Sequence, residues 1–142
     1  MEFKSVFVRP LKSRGTDRRW GSGQFGAPRD NHTRRHGGLD VVADPGDLVF
    51  SPIEGEVLRE ASPYFPFSGV LIRGTGEFAS YEVKLFYVKV MASMCGPLKA
   101  GTLIGSVEDL QWKYPGITNH VHIEVRCGGK LVSPADVYMM CF

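Results

Sequence analysis

The sequence predicts a mostly β fold, one compact domain around a central antiparallel sheet with few or no long helices. Three observations carry that expectation. The chain holds 17 glycines and 9 prolines in 142 residues, and both residue types mark turns and interrupt regular helices. Hardly any stretch places apolar residues at i, i+3, i+4 and i+7, the spacing that builds a helix face. Short runs rich in β-branched and aromatic residues recur instead, each bounded by a turn signal.

Phe3 to Val8 is the first expected strand. Residues 10 to 35 then turn polar, with Arg14, Arg18, Arg19, Arg34 and Arg35 around Gly21-Ser22-Gly23-Gln24-Phe25-Gly26. A glycine-rich segment can cradle phosphate, but this one lacks the strand-to-helix setting and the Lys-Ser/Thr ending that such a cradle uses. It reads as a loop over a site. Leu39 to Ala43 and Asp47 to Phe50 follow as strands, separated by Asp44-Pro45-Gly46. Gly55 to Arg59 and Val70 to Arg73 come next, the latter closed by Gly74-Thr75-Gly76. Ser80 to Val90 reads as one long strand. Gly96-Pro97 marks a turn before Thr102 to Val107, and Pro115-Gly116 marks another before His120 to Arg126. Strands this short and frequent imply an antiparallel sheet or sandwich.

With 142 residues and 43% hydrophobic content, the chain can bury one core and is too short for two ordinary domains, so residues 1 to 142 form a single domain. The formal charge of +2 points to neither an acidic disordered tail nor a strongly basic nucleic-acid protein. Nothing places aromatic stacking residues beside the arginines of the polar segment, which also argues against a nucleic-acid module. No apolar run is long enough for a membrane span, and Met1 to Arg9 contains none long enough for a signal peptide. The sequence as it stands reads as soluble. Cys95, Cys127 and Cys141 allow one disulfide with one thiol left over, and their spacings do not resemble a cysteine-type zinc site. Which of them pair, the compartment and the oligomeric state stay open. Asn31-His32-Thr33 matches an N-glycosylation sequon, which matters only in a secretory setting.

Two separated motifs carry the chemistry. His36-Gly37-Gly38-Leu39-Asp40 has the pattern H-x3-D, and His120-Val121-His122 has the pattern H-x-H. Three of the four histidines lie inside them. Zinc suits imidazole nitrogens and carboxylate oxygens, and a reactive zinc keeps three protein ligands with one position open. His36, Asp40 and one histidine of the later pair would supply that set. Side chains alternate along a strand, so His120 and His122 would share one face while Val121, Ile123 and Val125 point into a core. Neither motif alone is specific, and their combination is. The remaining histidine, His32, lies in a polar loop and reads as solvated.

With the motifs placed, their surroundings become recognisable. The segments His36 to Asp40, Val49 to Val57, Gly96 to Gly105 and His120 to Val125, in that order, resemble the lysostaphin-type zinc endopeptidases. The match is closer still to the family's animal branch, the leukocyte cell-derived chemotaxins and the myb-induced myeloid protein. It is carried by Gly21 to Arg29, Lys84 to Lys89 and Lys113 to Glu124, and it spans roughly residues 20 to 138, with 1 to 19 divergent. The resemblance implies the family's β fold around a central antiparallel sheet and zinc held by His36, Asp40 and His122. His120 takes the place of a catalytic histidine.

Two departures shape the functional expectation. The enzymes carry a further histidine in a Tyr-x-His-Leu strand, and the matching position, within Leu85-Phe86-Tyr87-Val88, is Tyr87. If the site is catalytic, His120 serves as base and Tyr87 donates a hydrogen bond; loss of one acid-base group costs about 10² to 10⁴ in rate. The chemotaxins share the tyrosine, so the resemblance implies a secreted signalling domain that keeps zinc for structure or recognition and binds a receptor protein or a glycan. The alternative is an active metallopeptidase cleaving glycine-containing peptides or peptidoglycan cross-bridges. The second departure is a family cysteine replaced here by Glu82, which leaves Cys127 without its family partner. Either Cys95 or Cys141 takes its place, or the domain is built without bridges and an intracellular setting stays open.

Overall fold

The computed structural model describes residues 2–29, 34–91 and 94–138. His32, the Asn31-His32-Thr33 sequon and Cys141 lie outside the described residues. The strands are β1 (Thr16–Asp17), β2 (Gly21–Ser22), β3 (Pro28–Arg29), β4 (Arg34–Arg35), β5 (Leu39–Val42), β6 (Leu48–Phe50) and β7 (Gly55–Glu60). They continue as β8 (Gly69–Gly74), β9 (Tyr81–Phe86), β10 (Val88–Val90), β11 (Gly96–Leu98), β12 (Leu103–Val107), β13 (His120–Cys127) and β14 (Lys130–Val132). Among the described residues, helical structure is confined to a 3₁₀ turn at Gly76–Phe78 and one short helix, α1, at Pro134–Tyr138. The fold is mostly β, as the turn-rich sequence predicts.

The main sheet runs β11-β7-β8-β9-β13-β14, with β5 added against β13, and all its pairings are antiparallel. A second sheet runs β10-β12-β6. Their inner faces meet in a core that includes Val49, Ile72, Val83, Leu85, Ile104, Val121, Ile123 and Val125. β13 is the hinge of this arrangement. Its one side pairs with β9 from His122 to Cys127; its other side pairs first with β5 and then with β14. The alternation expected for H-x-H holds, since Val121, Ile123 and Val125 are fully buried in the core.

Four expected elements differ from the sequence reading, each for a local reason. Phe3 to Val8 is not a strand: Phe3, Val6 and Phe7 are the buried residues, a spacing that breaks period-two alternation. The segment instead caps the core, with the Phe3 ring edge-on to Phe78, Tyr81 and Tyr138. Ser80 to Val90 divides into β9 and β10, which belong to different sheets, because Tyr87 between them has φ 69°. Gly96-Pro97 is not a turn but the start of β11, paired with Val57 and Glu56. Proline is tolerated there because β11 is an edge strand. Within the polar segment, residues 10 to 35, β1 pairs with β2 and β3 with β4, where the sequence suggests only loop. Cys95 and Cys127 are free thiols, so the Cys95–Cys127 pairing is absent. Nothing in the sequence marks β14 or α1.

Because Ile123 lies on the core face of the most heavily paired strand, Ile123→Ala should lower stability by about 2–5 kcal/mol, the range for truncating a large buried aliphatic side chain. Urea unfolding followed by tryptophan fluorescence measures it. A loss below about 1 kcal/mol would show that β13 is not central to the core.

Candidate functional site

The register of β13 builds the site. His122 stands opposite Asp40 of β5 and opposite Phe86 of β9, and cross-strand neighbours have Cβ atoms about 4.5–5.5 Å apart. His36 enters from the chain just before β5, tied to residues 26 and 27 by the bonds Gly26 N–H to His36 O (2.9 Å) and His36 N–H to Ala27 O (2.7 Å). Gly37 and Gly38 link it to the strand. At Gly38 a side chain has no room: a Cβ would lie 2.3 Å from the Ile123 carbonyl oxygen and 2.7 Å from the His122 ring. The glycine lets the chain pass directly beside that imidazole.

Three donor atoms converge. His36 Nε2 lies 2.9 Å from His122 Nδ1 and 3.3 Å from Asp40 Oδ1, and His122 Nδ1 lies 3.1 Å from Asp40 Oδ1. Together these atoms could hold one metal ion. Ligand atoms on a tetrahedral zinc with bonds of about 2.0–2.2 Å stand roughly 3.3–3.6 Å apart, so the triangle is slightly contracted and of the right size. The outer contacts select the right lone pairs. His36 Nδ1 is 3.0 Å from the Gln24 carbonyl oxygen, and His122 Nε2 faces Glu124 Oε1 at 3.5 Å. Each acceptor favours a proton on the outer nitrogen and leaves the inner one free to ligate, the arrangement usual around metal-bound histidines. His120 sits beside the group. Its Nδ1 donates to the Thr118 carbonyl oxygen at 2.8 Å, and its Nε2 lies 3.5 Å from Asp40 Oδ2.

The electrostatics centre on one buried carboxylate. Burial alone would raise the Asp40 pKa, but hydrogen bonds from His122 and His36 and the charges of His120 and His122 hold it well below the ordinary carboxylate value. Arg14 reaches its other oxygen, with Nε 3.2 Å from Oδ2. Burial likewise opposes a charge on His122, but its bonds to Asp40 and Glu124 outweigh burial and raise its pKa. At His120 burial wins and the pKa falls.

The site opens into a cleft of about 500 Å³ walled by Trp20, Tyr64, Phe86, Tyr87 and Tyr114. Phe86 stacks on the His122 ring at 5.3 Å, with the two planes within 15°. Tyr87 meets the His120 ring edge-on at 5.5 Å. Its left-handed backbone explains how it gets there. Val83 and Leu85 face the core, and strict alternation would send residue 87 the same way. The positive φ resets the alternation, so Val88 takes the core position and the tyrosine ring turns to the cleft. The Tyr87 hydroxyl is 3.4 Å from that of Tyr64, which also hydrogen-bonds Tyr114. Burial pushes the Tyr87 phenol up to about 12 and raises those of Tyr64 and Tyr114 as well. All three are neutral hydroxyls at physiological pH.

The structure thus brings together all five residues singled out in the sequence: His36, Asp40, His122, His120 and Tyr87. Arg14, Trp20 and Gln24 of the polar segment border the site. Arg14, Glu124, Tyr64 and Tyr114 were not anticipated. Glu124 follows His122 by two on the same face of β13 and could have been found from that spacing; Arg14 is one of several arginines in a polar segment, and nothing in the sequence distinguishes it. Aromatic residues do flank those arginines after all: the Arg19 guanidinium lies over the Trp20 ring at 4.6 Å. That ring is engaged within the chain, edge-on to Tyr114 at 5.2 Å and bonded through Nε1 to the Pro115 carbonyl oxygen. Among the described residues no helix is long and apolar enough to cross a membrane.

No family model matches the chain. The chain is similar to leukocyte cell-derived chemotaxin-2 of Mus musculus, with 35% identity over 109 residues that cover 74% of this chain and 68% of the relative. It is similar as well to myeloid protein 1 of Gallus gallus, with 34% identity over 116 residues, 78% of this chain and 34% of the relative. Among solved structures it shares the fold of the catalytic domain of the antimicrobial peptidase lysostaphin from Staphylococcus simulans. That match has a TM-score of 0.66 and 16% identity, covering 84% of this chain and 90% of that one. A variant of the catalytic domain of the prophage-encoded M23 protein EnpA from Enterococcus faecalis superposes with a TM-score of 0.65 and 23% identity, covering 96% and 97% of the two chains. A zinc containing peptidase from Vibrio cholerae matches with a TM-score of 0.59 and 20% identity over 87% of this chain and 39% of its own.

The two site glycines give a direct test of the geometry. Gly38→Ala should cost about 1–3 kcal/mol, the scale of forced overpacking, because its Cβ meets a backbone carbonyl and the His122 ring. Gly37→Ala should stay within about 1 kcal/mol, since its nearest neighbour is the end of the Glu124 side chain at 3.2 Å and no backbone atom. Thermal unfolding of the two variants side by side checks this, and equal losses would mean that the close approach beside His122 is not limiting.

Proposed function

Because the chain belongs to the family of leukocyte cell-derived chemotaxin-2 and myeloid protein 1, we propose that it is a zinc-binding, catalytically silent domain of that type, secreted and acting by binding a receptor protein or a glycan. The observation that carries the reading is Tyr87. Zinc suits the donor set of two imidazoles and one carboxylate, with His36, Asp40 and His122 as ligands. When bound, the ion supplies Lewis acidity toward a water or carbonyl oxygen. Amide hydrolysis also needs groups that take and return protons. His120 is placed for one of those roles, with Nδ1 anchored on Thr118 and Nε2 3.5 Å from Asp40 Oδ2. The group across from it is a phenol held near 12, which donates a hydrogen bond but does not exchange protons at neutral pH. The ion and the aromatic walls then serve recognition.

A second reading is supported by His120 itself. A zinc metallopeptidase acting on glycine-containing peptides or peptidoglycan cross-bridges would use it as base and Tyr87 as donor to developing negative charge.

Metal analysis of protein purified without chelator should give one zinc per chain. His122→Ala should lower the thermal midpoint, and chelator should lower that of the wild type by a similar amount while leaving the variant unmoved, since a metal that binds only the folded state adds its binding free energy to stability. Equal chelator sensitivity in both proteins would place the metal elsewhere.

Zinc-loaded wild type should leave pentaglycine and peptidoglycan uncut. Zinc-dependent cleavage that disappears in His120→Ala would overturn the silent reading in favour of the peptidase. Tyr87→His is the informative companion, and turnover seen only in that variant would locate the silencing at this position.

A further inference from the structure

We propose that Arg14 and Asp17 are positioning residues of the metal site, fixing which oxygen of Asp40 faces the ion and how the His120 ring is oriented; the proposal rests on the zinc reading above. The geometry is a run of hydrogen bonds that starts at Asp40 and ends at His120. Arg14 donates through Nε to Asp40 Oδ2 at 3.2 Å and through Nη1 to Asp17 Oδ2 at 2.7 Å. Asp17 accepts from the Thr118 backbone N–H at 3.0 Å and from its hydroxyl at 2.7 Å. The Thr118 carbonyl oxygen in turn receives the His120 Nδ1 proton at 2.8 Å. The run ends beside its start, with His120 Nε2 lying 3.5 Å from the same Asp40 oxygen that Arg14 holds.

Two features make this more than packing. The Arg14 side chain is 2% exposed, and arginine is almost never buried to that degree without partners that use its charge. Its planar fork addresses two carboxylates at once, which an ammonium group cannot do in fixed directions. By occupying Asp40 Oδ2 it leaves Oδ1, the oxygen near His36 and His122, as the single atom offered to a metal. Space for the pair is reserved by Gly23, where a Cβ would lie 2.8 Å from both Arg14 Nε and Asp40 Cβ. At the far end, the Thr118 carbonyl holds the proton of His120 on Nδ1 and leaves Nε2 unprotonated.

The test compares Arg14→Met, Arg14→Lys and Asp17→Asn with wild type in zinc competition against a chromophoric chelator. The tautomer of His120 is read from ¹⁵N shifts with and without zinc, and the thermal midpoint of the metal-free proteins controls for folding. Removing such an outer contact commonly costs 10–100-fold in metal affinity, and that loss is expected for both Arg14 variants, the lysine included. Asp17→Asn should mix the His120 tautomers while the protein stays folded. Variants that lose midpoint but bind zinc within twofold of wild type, with the His120 tautomer unchanged, would reduce the network to packing and overturn the proposal. So would Arg14→Lys matching wild type, since charge without the fork would then suffice. Wild type that takes up no zinc would instead overturn the zinc reading itself, and the tautomer of metal-free Asp17→Asn would still decide whether the network orients His120.

Discussion

The pairing register of β5 on β13 is the constraint on which the rest depends. With His122 opposite Asp40, one imidazole and one carboxylate meet across a ladder whose backbone bonds leave them no freedom to drift apart. A slip by one residue would send both histidines of β13 into the core and Val121 and Ile123 to the cleft. The hydrophobic effect therefore polices the site: the same alternation that buries three aliphatic side chains presents His120 and His122 together. His36 is the less constrained member. It arrives on a glycine pair and is held by contacts to residues 24, 26 and 27, so the segment ahead of β5 is as much a part of the site as the strands.

A polar cluster this deep needs complete hydrogen bonding, since a buried polar group without a partner costs about 1–3 kcal/mol. The site meets that demand. Among the described residues no buried side-chain nitrogen or oxygen lacks a partner. Asp40 collects Arg14, His36, His120 and His122 around one negative charge, and Glu124 gathers His122, Lys84 and Arg126 around another. Arg14 is thus balanced by Asp40 and Asp17 rather than facing solvent. Residues 12–23 also cover the outer edge of β5, through the bonds Arg14 N–H to Asp40 O, Asp40 N–H to Gly23 O and Val42 N–H to Lys12 O. An edge strand that carries a functional carboxylate is in this way closed to pairing with another chain.

What the sequence made legible is what depends on local pattern. Period-two alternation identifies β13 and the face of its two histidines, and turn residues locate the boundaries of β5, β7, β8 and β12 to within a residue or so. What it hid depends on tertiary closure. Phe3, Val6 and Phe7 look like strand residues, and only the available core surface shows that they act as an irregular cap. The break between β9 and β10 turns on the φ of Tyr87, and tyrosine gives no warning of a left-handed backbone. Arg14 is separated from Asp40 by 26 residues, and no spacing rule spans that distance. Tyr64 and Tyr114 come from two further loops and join the cleft for the same reason.

The main chain at residue 87 has a consequence for how this cleft came to hold a phenol. A left-handed conformation admits few side chains comfortably; asparagine, aspartate and histidine are the enriched non-glycine choices, and β-branched residues are nearly barred. Histidine and tyrosine codons differ by a single base. Histidine is among the residues that tolerate this backbone, and the tyrosine ring now in place already lines the cleft. The two states of the position are therefore neighbours in mutational space on one unchanged scaffold, and the passage between them is open in either direction.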